Sequence, residues 1–453
     1  MQQKVLLICN YFAPDHTIAA VRTTKMAKYL RRNGYEVEVL TEKKNGGEDE
    51  LLKEDAEGIK TYYAENSQRY IWSHELYEKF IEPHKKKRFD NLENRKRRNP
   101  KTGNIEFYPF ETAYPVIGSI EYIVGQLKQI DLFRSVKQLL RAAKGFDYVI
   151  TSYGDSFSYF AGKYFHKYHK EATWIFDIRD AVYRYKFTPD YVSFIPKEYE
   201  RYIWKHADCI TGVSKGICKR APKRFRSKVY CLRNGFDLTD RKNLKKDRLD
   251  SSEMIFTYTG SMYGGLIDLS VFFEVVRELI EDKQIDGRRI AFHFAGNESA
   301  FQIFKGQAEQ FQLGDRCVMH GKLSRQDSLE LQQQSDMLLA ASHDYKDNEG
   351  GVITGKILEY MAAGRPVIAV IMGDIEHSEL ADIIRKTNIG IAYEDAHRKE
   401  DHKKLYEYIK RQYEKFSTTT KTEYEPDKTE LCRYDYRYLC NRLIKIMNQV
   451  RGE

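Results

Sequence analysis

Short runs of β-branched and aliphatic residues recur along this chain with helical patterns between them, and this alternation narrows the fold more than any other feature. Residues 4–9, 36–41, 148–152, 173–178 and 209–213 read as strands in the first half. Residues 255–258, 290–295, 318–319, 337–341, 366–371 and 390–393 repeat the style in the second. Continuous apolar strands separated by helices belong to parallel sheets covered on both faces, so the class is α/β. The 453 residues are enough for two or three domains with sizeable cores.

Leu269, Phe272, Phe273, Val276, Leu279 and Ile280 recur at helical spacing and predict a helix with one apolar stripe against a sheet. Ser324 followed by Asp327 predicts a helix start ahead of Leu329. The polar stretch from Asp237 to Asp247 lacks core periodicity and is read as the interdomain linker, giving a first domain over 1–236 and a second over 237–433. Residues 434–453 predict a closing amphipathic helix through Tyr438, Leu439, Leu443, Ile446 and Met447, packing back toward the first domain. Residues from about 42 to 130 are Tyr-rich, basic and poor in strand signal, and are read as an insertion on the first domain. His166 and His169 are expected on the solvated face of a helix.

Lys and Arg outnumber Asp and Glu by 75 to 66, a net charge of +9. Between Lys85 and Lys101, nine basic residues (Lys85, Lys86, Lys87, Arg88, Arg95, Lys96, Arg97, Arg98 and Lys101) meet only Asp90 and Glu93, so this window holds most of the surplus. A surplus confined to one segment argues against a nucleic-acid surface and fits an anionic membrane surface or a solvated loop. Tyr70, Trp72, Tyr77 and Phe80 precede the run and Phe107, Tyr108, Phe110 and Tyr114 follow it, amphipathic residues suited to lipid headgroups. Seven scattered cysteines without a C-x-x-C pair suggest free thiols in a reducing compartment. No apolar stretch approaches the roughly 18 residues that span a bilayer, so the expectation is a cytoplasmic protein with at most peripheral membrane contact.

Two segments carry candidate chemistry. After the first strand, Asn10 to Arg22 includes the small residues Ala19 and Ala20 at a helix start, a place where backbone amides can meet an anion, or an ordinary βα turn. No G-x-G-x-x-G or P-loop motif accompanies it there. Residues 348–369 run from a Gly-rich loop (Glu349, Gly351, Thr354, Gly355) into a helix ended by Gly364. Lys356 then stands on the first turn, where a cation and free amides suit a diphosphate, and Glu359 follows one turn later, within reach of a ribose. A solvated Lys–Glu pair is the alternative.

The second segment resembles the nucleotide-sugar site of glycosyltransferase family 4, whose GT-B fold sets two Rossmann-like domains face to face across a deep cleft. Tyr11-Phe-Ala-Pro with Arg22, Phe176-Asp-Ile-Arg-Asp180, Ala207 to Ser214 leading to Arg233-Asn-Gly235, and Tyr258-Thr-Gly-Ser261 with Ala295-Gly-Asn297 are similar to that family in order and spacing, nearest its bacterial surface-polysaccharide branch. The resemblance implies that Ala19, Ala20, Arg22, Gly260, Ser261, Gly296, Glu349, Gly351, Thr354, Gly355 and Glu359 line the donor site. Glu359 matches the second Glu of the family's E-x7-E motif, while Gly351 stands where the first would fall, with Glu349 as its substitute. Lys356 is implied as the main cation at the diphosphate, and Arg179 falls where the family places a histidine near the sugar, beside Asp180 as a carboxylate able to take a proton.

The expectation is thus a retaining glycosyltransferase that needs no bound metal or cofactor. It would move a sugar from a nucleoside diphosphate sugar to a saccharide or lipid-linked glycan in cell-surface polysaccharide biosynthesis, with an anionic membrane met through Lys85 to Lys101. A non-catalytic GT-B subunit or sugar-nucleotide binder is the alternative.

Overall fold

The structure, a computed structural model, describes residues 2–89, 96–98, 105–107, 114–184, 188–245, 247–249, 252–262, 267–343 and 353–452, without the side chains of residues 81–89, 96–98 and 105–107. In chain order the first strands are β1 (Lys4–Cys9), β2 (Glu36–Glu42), β3 (Lys60–Ala64), β4 (Lys96–Arg98), β5 (Ile105–Phe107), β6 (Tyr148–Tyr153), β7 (Thr173–Ile178), β8 (Cys209–Gly212) and β9 (Val229–Cys231). Seven of them make a parallel sheet in the order β3-β2-β1-β6-β7-β8-β9, while β4 and β5 pair antiparallel as a separate ribbon. A second, six-stranded parallel sheet has the order β12-β11-β10-β13-β14-β15, from β10 (Met254–Thr259), β11 (Ile290–Ala295), β12 (Cys317–Gly321), β13 (Met337–His343), β14 (Val367–Met372) and β15 (Gly390–Glu394). Each sheet carries helices on both faces. The chain therefore has the α/β, two-domain Rossmann-like architecture that its alternating pattern predicts.

Central strands such as β1 and β14 are buried along nearly their whole length, which is why Val5–Cys9 and Val367–Met372 read as apolar runs. Edge strands read differently. β3 (Lys-Thr-Tyr-Tyr-Ala) lies inside the stretch read as an insertion, yet pairs in parallel with β2; half-exposed, it needs no aliphatic face. Beyond it, helix Gln68–Phe89 and helix Pro115–Ala142 run antiparallel, tied by Ser67 to Asp131 and by the Tyr77 hydroxyl to Glu121. The basic run between Lys85 and Lys101 falls on residues or side chains outside those described.

His166 and His169 are not solvated, contrary to the expectation. Both are buried, His166 stacked on Trp174 and His169 on Phe165, with the His169 Nε2 2.9 Å from the Leu140 carbonyl oxygen. Burial lowers the His166 pKa, so the ring packs as an aromatic rather than as a cation.

Part of the polar linker is also buried, at Asp237, Asp240 and Arg241. Lys25 and Lys28, on helix Ile18–Arg32, project into it: Lys25 pairs with Asp55, Asp240 and, at 3.1 Å, Asp237, and Lys28 meets Asp237 at 2.7 Å. Burial works against the Lys25 charge, but Asp240, Asp237 and Asp55 outweigh it and hold the ammonium above its ordinary range. The chain returns beside this crossing, where the Phe236 amide donates to the Tyr434 carbonyl at 2.8 Å and the Tyr436 amide to the Phe236 carbonyl at 2.9 Å. Helix Tyr436–Arg451 then packs Leu439, Leu443, Ile446 and Met447 into the core of the first domain with Val5, Leu7, Ala27 and Leu30.

Candidate active site

A cleft of about 610 Å³ separates the two domains, walled by Ile18 and Asp49 on one side and by Gly260, Ser261, Arg325 and Lys356 on the other. Helix Gly355–Ala363 points its N-terminal turn there, because Ile357, Leu358 and Met361 bury its opposite face and Gly364 stops it in the left-handed conformation (φ +68°). Thr354, Gly355, Lys356 and Glu359 all line the cleft, so the positive end of the helix dipole meets it.

Lys356 is held rather than free. Its Nζ donates to the Tyr258 hydroxyl at 2.8 Å, and that hydroxyl donates to the Ser261 carbonyl at 2.8 Å, fixing the loop after β10 against the lysine. Gly260 has φ +114°, and a Cβ there would lie 2.6 Å from Lys356 Cε, so the close approach requires glycine. Burial lowers the Lys356 pKa to about 8, only partly countered by Glu359. An arriving diphosphate would restore the charge that burial disfavours.

Glu359 accepts from Gln332 Nε2 at 3.1 Å, and its carboxylate lies 3.9 Å from Arg325. Arg325 bonds Asp240 at 2.8 Å and lies 3.8 Å from Asp49, which places one guanidinium between both domains and the linker. Its Nε and Nη1 are buried without a hydrogen-bond partner among the described residues. Arg241 donates to the Glu359 and Leu329 carbonyls and to Gln332, and burial lowers its pKa to about 10. Sequence reasoning missed Arg325, Arg241 and Gln332. Arg325 follows the predicted Ser324 cap directly, and that was its one available signal.

On the first-domain side, Arg22 is buried and spends its guanidinium internally, on Asp177 at 2.7 and 2.9 Å and on the carbonyls of Leu232 and Arg233. Asp177 also accepts from Ser152 at 2.9 Å and Thr211 at 2.7 Å. Burial opposes its ionisation, but Arg22 outweighs this and its pKa is lowered. The aspartate's partner is thus Arg22, leaving Arg179 available. Arg179 lines a smaller adjoining cavity with Arg22, Arg241, Arg325, Gly355 and Glu359, and its buried Nη1 has no hydrogen-bond partner among the described residues.

The other expected residues are placed less directly. Ala20 is fully buried, and the neighbouring Ile18, not Ala19 or Ala20, is the residue lining the cleft. Gly296 backs Gly260 rather than lining the cleft, and Asp180 is exposed away from both cavities. Glu349 and Gly351 lie outside the described residues. Asp55, Asp237 and Asp240 approach one another as metal ligands would, but Lys25 and Lys28 already stand among them.

Residues 253–405 match the family model "Glycosyl transferases group 1". No curated protein matches the sequence. Among solved structures, sucrose-phosphate synthase from Thermosynechococcus elongatus superposes along the whole of both chains with a TM-score of 0.55 at 13% identity. The lipopolysaccharide outer core galactosyltransferase WaaB does so over 99% of both chains, with a TM-score of 0.56 at 12% identity. A variant of S. aureus TarM in complex with Fondaparinux, alpha-GlcNAc-glycerol and UDP superposes over 99% of this chain and 100% of its own, with a TM-score of 0.55 at 12% identity. The chain has the GT-B fold, and over residues 253–405 its second domain is similar to the group 1 glycosyl transferases.

Proposed function

We propose that this protein is a nucleotide-sugar glycosyltransferase, retaining and independent of metal, and that it acts on a saccharide or lipid-linked acceptor in the assembly of surface polysaccharide. The observation that carries the reading is Lys356, set at a helix N-terminus against Gly260 and Ser261 in a cleft closed by both domains, within the segment similar to group 1 glycosyl transferases. As the sugar–diphosphate bond breaks, charge grows on the leaving oxygen; Lys356 and the dipole of helix Gly355–Ala363 are preorganised to stabilise it. Arg325 and Arg179 supply further positive charge toward the linker, where closing domains would exclude water. Among the described cleft carboxylates, Glu359 is engaged by Gln332, Asp49 caps helix Glu50–Asp55, and Glu48 and Glu50 pair with Lys53, so departure and attack on the same face of the sugar fit better than a carboxylate nucleophile.

A thermal-shift panel of UDP-, GDP-, ADP- and CMP-sugars tests the donor assignment: a donor at 100 times its Kd stabilises by about 2.7 kcal/mol. Transfer or donor hydrolysis that persists in EDTA is then expected. Binding without turnover would instead support a sugar-nucleotide-binding subunit, a reading favoured by the exposed position of Asp180.

The membrane side of the proposal rests on the hairpin of helices Gln68–Phe89 and Pro115–Ala142. Trp72 and Phe80 are exposed on one, and Val116, Ile120, Ile123 and Leu127 form an exposed stripe on the other, flanking the basic run in sequence. Apolar side chains beside lysines and arginines suit peripheral binding to anionic lipid. No helix of the described residues is long and apolar enough to cross a membrane.

A further inference from the structure

On the second domain, at the ends of β14 and β15, His377, Glu394 and His397 bring one potential ligand atom each within 4.8 Å of one another. We propose that these three residues form a binding site for a divalent ion of the zinc class, separate from the donor cleft. Two imidazole nitrogens and a carboxylate are the donor set such ions prefer, with water able to complete the shell.

Three observations support it. The His397 Nε2 is buried and has no hydrogen-bond partner among the described residues, although the ring lies only 5.3 Å from that of His377. Glu394 is buried and already oriented, accepting from the amides of Ser378 at 2.7 Å and His377 at 3.2 Å, which leaves further lone pairs on its oxygens for a metal. His377 sits at φ +56°, a conformation uncommon for a side-chain-bearing residue, and this turns the loop back over Glu394. The nearby cations do not oppose a metal, because Arg385 is paired with Asp382, and Lys404 with Glu400 and Asp401.

The other histidine-containing group differs: His402 and Glu278 already pair with each other at 3.5 Å. The position of the proposed site also gives it leverage. The next residue, Ser378, caps helix Glu379–Thr387, and Glu379 reaches the first domain, accepting from the Lys215 amide at 2.9 Å and from Arg233 at 2.9 Å. A metal on His377 would therefore pin the loop that carries this interdomain contact.

Isothermal titration of the full chain with Zn²⁺, after EDTA treatment and desalting, should show one saturable site. Binding should raise the Tm, and Co²⁺ in place of Zn²⁺ should give visible d–d bands. His397→Ala and His377→Asn should each weaken Zn²⁺ binding at least tenfold and abolish the bands; asparagine tolerates the left-handed backbone, so the second variant decides if the first fails to fold. Absence of a saturable site, or unchanged Zn²⁺ affinity in His377→Asn, would overturn the assignment.

Discussion

Lys356 has to be charged to hold a diphosphate, yet its surroundings lower its pKa to about 8. If it acts as proposed, kcat/KM should fall as pH rises through 8, tenfold for each further unit, and Lys356→Arg should lose this fall because a guanidinium stays protonated. The sign for folding is opposite. A lysine whose folded value lies below its unfolded one releases its proton earlier in the native state, so its contribution to stability improves between pH 8 and the ordinary lysine value. Lys356→Ala should lower kcat/KM by about 10²-fold, as expected for removing one preorganised donor; near-normal turnover would take Lys356 out of the mechanism. Gly260→Ala tests the same contact from the other side: the added methyl meets Lys356 Cε, so the variant should fold yet bind donor more weakly in the thermal-shift panel.

Among the elements, the end of β7 shows how buried pairing holds the first-domain side of the site together. Arg22 on helix Ile18–Arg32 bonds Asp177 on β7 and the loop before the linker, so three segments meet at one guanidinium. Arg22→Ala leaves a buried carboxylate uncompensated and should cost about 3–5 kcal/mol in a urea titration. The sequence places Arg22 in this neighbourhood but does not give its partner, Asp177, which is 155 residues away. The same limit explains the other gaps. Strands buried on both faces, such as β1, β7 and β11, are legible to the residue, since burial forces their composition. β3 and β9 are short, half-exposed edge strands with no such constraint. Lys356 and Glu359 are legible because one helix carries both, whereas Arg325 and Arg241 reach them only through tertiary packing. His166 and His169 mislead because aromatic stacking, not polarity, decides their burial.

For the molecule as a whole, membrane docking through the basic run and donor chemistry should be separable by mutation. Reversing Lys86, Lys87, Arg97 and Arg98 to Glu should abolish sedimentation with anionic liposomes while leaving hydrolysis of soluble donor intact, and binding by the unmodified chain should weaken steeply with salt. Equal liposome binding by both proteins would leave the basic run as a solvated loop with no part in docking. The two chain crossings near Phe236 and Tyr436 are bonded to each other, so opening of the cleft bends one paired strap. That return of the chain also sets an order of folding. The first domain lacks part of its core until residues 436–451 leave the ribosome, because Leu439, Leu443, Ile446 and Met447 fill it. The second domain, whose sheet ends at Glu394, fills its own core with residues up to Tyr434, ahead of that helix. The half made first should thus be the half finished last, with β1 and helix Ile18–Arg32 waiting, partly uncovered, for the chain to return.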